Sequence, residues 1–111
     1  MSNELFNQML SAYDLATHQQ KRNATFEVNQ QIILAGLYNG GFFNEAAFYG
    51  GTCLRIFHGL QRFSEDMDFS LLAPSQDFDF TQYFQPIVDQ FAMVGREVEI
   101  KKKDKIGRAH V

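Results

Sequence analysis

Tryptophan is missing from this 111-residue chain, cysteine occurs once and proline twice. A lone Cys53 forms no internal disulfide, so packing must hold the fold, and the usage fits a reducing compartment. No stretch approaches the roughly 18–20 consecutive apolar residues of a membrane-spanning helix, and the start, Met1 to Phe6, lacks a basic segment followed by an apolar run. A cytoplasmic protein without a membrane partner is expected. Basic residues are also scarce through most of the chain. Residues 1–100 carry five Lys/Arg against twelve Asp/Glu, a net of −7, whereas residues 101–111 carry five against one, a net of +4. An acidic body argues against general DNA binding, whose affinity comes from a broad basic face that releases counterions.

What the chain has is apolar mass. Hydrophobic residues make up 45% of it and phenylalanine alone contributes 12 residues, enough for one aromatic core and one domain. Leu5, Met9, Tyr13 and Ala16 recur at helical spacing and predict a helix from Asn3 to about Lys21, with Ser2 as a cap. A second helix is predicted from Phe26 to Tyr38, capped by Thr25, stopped at Gly40-Gly41, with Ile33, Leu34, Leu37 and Tyr38 facing the core. Ala46 to Tyr49, then Gly50-Gly51, then Leu54 and Phe57 predict strand, tight turn and short helix. Asp66 to Leu71 alternates polar and apolar residues as a half-buried strand does. A helix follows over Phe80 to Val94, with Pro86 in its first turn or at a kink, and a last strand over Arg96 to Lys103. The expected class is α/β (α+β), a small mixed sheet flanked by helices.

Two features carry chemistry. Glycines at 50 and 51 allow close backbone approach to a ligand, and a helix opening at Thr52 would offer free N–H groups and a positive dipole end to phosphate. Asp66 and Asp68 project to one face of their strand and suit a hard cation such as Mg²⁺. Either feature by itself is commonly only a turn or a solvated strand edge. Together they supply both halves of a triphosphate–metal site, at which a hydroxyl attacks an α-phosphorus and pyrophosphate departs. His18 and His58 stand alone, without ligand spacing for zinc, and Lys101 to Lys103 fit a solvated edge. Cys53 fits a small buried hydrophobe, and Phe78, Phe80, Phe84 and Phe91 fit a core better than a base-stacking surface.

The blocks Phe48-Tyr49-Gly50-Gly51-Thr52-Cys53-Leu54-Arg55 and Arg62-Phe63-Ser64-Glu65-Asp66-Met67-Asp68-Phe69 closely resemble the AbiEii/AbiGii nucleotidyltransferases, toxins of type IV toxin–antitoxin and abortive-infection systems. That family belongs to the DNA polymerase β-like superfamily, and Thr52 stands where many of its members have Ser. The resemblance implies metal binding and catalysis by Asp66 and Asp68. It implies phosphate binding by Gly50, Gly51 and Thr52, with Arg62 and Ser64 flanking the site. A third carboxylate would be Glu97 or Glu99. Further implications are Mg²⁺ as cofactor, an NTP as donor, tRNA as acceptor and a cognate antitoxin as partner. A protein or small-molecule acceptor, and a non-catalytic nucleotide- or cation-binding remnant, are the alternatives.

Relatives continue beyond this length into a helical portion with further basic and acidic catalytic groups. Residues 1–105 are therefore expected to be the N-terminal part of a nucleotidyltransferase domain, inactive alone. Lys105 to Val111 match the translation of a common sequencing adapter, so 106–111 are expected to be a non-native tail.

Overall fold

Thr17 decides where the longest helix begins. In the computed structural model, which describes residues 3–59, 67–73 and 78–101, the Thr17 hydroxyl accepts from the Gln20 N–H at 3.0 Å. The Gln20 side chain in turn accepts from the Thr17 N–H at 3.0 Å, which completes a capping box. The predicted first helix is thereby cut in two. Helix α1 spans Asn3–Leu10, and α2 spans His18–Asn39. Thr25 caps nothing: its hydroxyl donates to the Lys21 carbonyl at 2.9 Å inside α2. The buried stripe of α1 is Phe6, flanked by partly buried Met9 and Leu10, while Leu5 faces outward.

Helix α2 is the axis of the molecule. Val28, Ile32 and Leu37 are buried along it, but Tyr38, expected in the core, is exposed. Gly41, at φ +85°, turns the chain into a short 3-10 helix over Phe42–Asn44. Phe42 then forms the hub of the aromatic core, with the rings of Phe43, Phe69, Phe80 and Tyr83 all 5.1 to 5.5 Å away. Strand β1 (Ala46–Tyr49) follows, then helix α3 (Gly51–His58) and strand β2 (Asp68–Leu71). The two strands pair antiparallel, Ala46 opposite Leu71 and Tyr49 opposite Asp68. Phe48 and Phe69, also opposite one another, meet as tilted rings 5.2 Å apart on the core side.

The predicted late helix resolves into a 3-10 turn (Phe80–Tyr83), capped by Asp79, and helix α4 (Phe84–Met93). Pro86 lies in the first turn of α4, where its missing N–H costs no helical bond. Phe78, Phe80 and Phe91 belong to the core or pack against its rings, as their spacing suggested. The strand expected from Arg96 does not form, because residues 96–101 pair with neither β1 nor β2. Its alternation survives in the packing, for Val98 and Ile100 still lie against the core. The architecture is α+β, with four α-helices about a two-stranded antiparallel sheet among the described residues. No helix among the described residues is long and apolar enough to cross a membrane.

Helices α2 and α4 touch backbone to backbone at Gly36. A Cβ there would stand 2.7 Å from the Ile87 Cα and 3.0 Å from the Pro86 carbonyl oxygen. Gly→Ala on an open helix face stabilises by up to about 1 kcal/mol. Gly36→Ala is expected to reverse that sign and cost roughly 1–3 kcal/mol, because the helices must separate. A lower denaturant midpoint with unchanged slope is the expected readout.

Candidate functional site

Strand β1 ends at Gly50, whose backbone (φ +90°, ψ −170°) is open in practice only to glycine. The same residue starts α3: its carbonyl accepts from the Leu54 N–H at 3.0 Å. Strand, sharp turn and helix thus follow without an intervening loop. The first turn of α3, at Gly51 and Thr52, therefore stands directly at the end of β1. The Thr52 side chain is fully buried and fixes the first turn of the helix from inside.

The acidic strand meets this turn. Asp68 begins β2 directly opposite Tyr49, and its carboxylate lies against Gly50. A Cβ on Gly50 would come within 2.5 Å of Asp68 Oδ2 and 3.3 Å of its Cβ. Glycine is therefore required here by its dihedral angles, and a side chain at this position would also displace the Asp68 carboxylate. Gly50, Gly51, Thr52 and Asp68 sit together around one corner of the sheet. Asp66, Arg62 and Ser64 lie outside the described residues.

Glu97 and Glu99 are exposed on the irregular segment after α4. Glu97 borders a groove lined by Asn29, Ile33, Phe91 and Arg96, which includes neither Gly50 nor Asp68. Among the described residues no three carboxylate, histidine or cysteine groups gather as a metal cage. A carboxylate such as that of Asp68 nevertheless suits Mg²⁺, which binds through one or two carboxylates, water and substrate phosphate oxygens. The donor chemistry present fits that ion.

Behind the turn stands a polar cluster that sequence patterning did not reveal. Arg55, one turn into α3, donates from Nε to Glu27 Oε2 on α2 at 2.6 Å. Tyr13, from the α1–α2 connection, lies between Glu27 and Gln31, and its hydroxyl accepts from Gln31 Nε2 at 2.9 Å. Burial, then the hydrogen bond and charge of Glu27, push the Tyr13 phenol up to about 12. A sequence signal did exist: Glu27 is the sole charged residue between Arg22 and Glu45, and Arg55 the sole one between Glu45 and Arg62 apart from neutral His58. Isolated opposite charges within apolar stretches are candidates for a buried pair.

The raised phenol carries a pH signature. Below pH 10 folded and unfolded chains both keep the Tyr13 proton; between pH 10 and about 12 the unfolded chain loses it first, so this contribution to stability falls. Tyr13→Phe is expected to flatten the alkaline decline over that window relative to wild type, measured as denaturation midpoint against pH.

Comparison with known proteins supplies the family. No curated protein and no solved structure matches the chain. A family model described as "Nucleotidyl transferase AbiEii toxin, Type IV TA system" matches residues 32–109, well over half the chain, and takes in the Gly50 turn, α3 and Asp68. The chain belongs to the AbiEii nucleotidyl transferase toxin family of type IV toxin–antitoxin systems.

Proposed function

We propose that the corner formed by Gly50, Gly51, Thr52 and Asp68 binds the triphosphate of a nucleotide with Mg²⁺, as part of an enzyme that transfers a nucleoside monophosphate to tRNA. The observation that supports this most is the contact of the Asp68 carboxylate with Gly50, because phosphate seat and metal-binding oxygen then serve the same ligand. Gly51 and Thr52 hold phosphate oxygens through backbone N–H groups, aided by the dipole of α3. Asp68, together with Asp66, would hold Mg²⁺. The ion, when bound, neutralises charge on the triphosphate and on departing pyrophosphate.

The reaction is an in-line displacement. An acceptor hydroxyl forms a bond to the α-phosphorus, the bridging bond to the β-phosphate breaks, and pyrophosphate leaves with the electron pair while the hydroxyl proton passes to solvent or a base. The protein contributes position and charge. Arg62 and Ser64 would flank the phosphates, and a cognate antitoxin would hold the toxin in check in the cytoplasm.

The test uses α-labelled NTPs with the protein expressed in its full reading frame. Label that moves to tRNA in the presence of Mg²⁺, and not in EDTA, is the expected outcome. Label on a protein or small molecule instead would keep the donor chemistry and replace the acceptor. Binding without transfer would reduce the protein to a nucleotide-binding remnant.

A further inference from the structure

An exposed tyrosine on a protein surface is ordinary, but the place of Tyr49 is not. It is the last residue of β1, immediately before Gly50, and in the sheet register it stands directly opposite Asp68. Directly opposed residues of an antiparallel pair point to the same face, with Cβ atoms roughly 4.5–5.5 Å apart. The neighbouring pair Phe48 and Phe69 turns to the other face, where the two rings meet at 5.2 Å and Phe69 packs against the core. Tyr49 therefore shares its face with the metal-binding carboxylate and abuts the phosphate seat. The residue is 53% exposed. Every other aromatic ring of β1, β2 and the Phe42 turn packs against another ring, and Tyr49 does not do so among the described residues.

We propose that Tyr49 is the platform on which the nucleobase of the bound nucleotide stacks. A ligand whose phosphates rest on Gly51 and Thr52 and whose metal rests on Asp68 extends its sugar and base over this face, and the phenol ring is the flat apolar surface available there. Every base has a π-face, so the platform raises affinity for nucleotides in general and discriminates little among them. The hydroxyl has no part in this. The inference rests on the phosphate-seat function proposed above and adds what holds the other end of the ligand.

Calorimetric titration with Mg²⁺-NTP and, separately, with Mg²⁺-tripolyphosphate tests both levels. Wild type is expected to bind both ligands, the nucleotide more tightly. Tyr49→Ala is expected to weaken NTP binding about tenfold, within the range that loss of one base stack produces, and to leave tripolyphosphate binding unchanged. Tyr49→Phe should keep NTP affinity within about twofold, since the stacking surface is retained. Equal affinities of wild type and Tyr49→Ala for NTP would overturn the platform while leaving the phosphate seat intact, as would equal weakening for both ligands. A wild-type chain that binds neither ligand would overturn the seat and the platform together.

Discussion

Replacing Asp68 by alanine is expected to abolish nucleotidyl transfer by the protein in its full reading frame. The loss should be on the order of a thousandfold or more, the scale on which one preorganised charge-stabilising group acts in a water-poor site. Asp68 is half-buried at the start of β2 and forms no part of the aromatic core, so the fold should survive. Asp68→Asn keeps the shape of the side chain and removes its charge, and it is expected to lose as much as alanine does. The separation matters because alanine also opens space beside Gly50, where the carboxylate now sits. Relief of growth inhibition is the expected cellular counterpart. Near wild-type transfer by either variant, at unchanged Tm, would contradict the assignment.

The second large effect concerns stability. Glu27 and Arg55 join α2 to α3, but they are not equally buried: 5% of the Glu27 side chain is exposed against 26% for Arg55. Removing Arg55 leaves the Glu27 carboxylate in the interior beside Tyr13. Removing Glu27 leaves a guanidinium that already reaches water. Arg55→Ala is therefore expected to cost about 3 kcal/mol, the lower end for breaking a buried pair, which lowers Tm by roughly 10–20 °C in a domain of this size. Glu27→Gln should cost clearly less. The double variant Glu27→Leu/Arg55→Met replaces both charges by apolar groups and should regain most of the loss, since desolvation of the native pair offsets much of its attraction. Thermal unfolding followed by circular dichroism measures all three; equal effects of the two single variants would show that the asymmetry of burial is irrelevant.

Much of the local backbone geometry around Gly50 was legible because local chemistry and overall fold agree there. Gly50-Gly51 followed by a helical pattern, and the alternation that ends in Asp68–Leu71, translate directly into backbone geometry, and the sheet register brings Asp68 to Gly50. Helix boundaries near the start were less legible. Periodicity placed the start of the second helix at Thr25, whereas the reciprocal bonds of Thr17 and Gln20 set the actual boundary. Tyr38 was misplaced because α2 packs on several sides and has no single apolar stripe, and Leu5 because the buried stripe of the shortened α1 is centred on Phe6. The last strand failed for another reason. Alternation at Val98 and Ile100 prescribes which side is buried, but a strand also needs an edge to pair with, and that is a tertiary property. Likewise Glu27 and Arg55 are 28 residues apart, and only the α2–α3 packing brings them together.

One measurement bears most directly on whether turn and carboxylate serve a single ligand. With Mn²⁺ in place of Mg²⁺ and a saturating NTP, paramagnetic broadening of the amide resonances maps where the metal sits. Gly50, Gly51, Thr52, Asp68 and Phe69 are expected to broaden together at low Mn²⁺, while the α2 core around Val28 and Ile32 stays sharp. Broadening confined to one of the two segments, or spread over surface carboxylates such as Glu97 and Glu99 with the Gly50 corner untouched, would contradict a shared metal–triphosphate site.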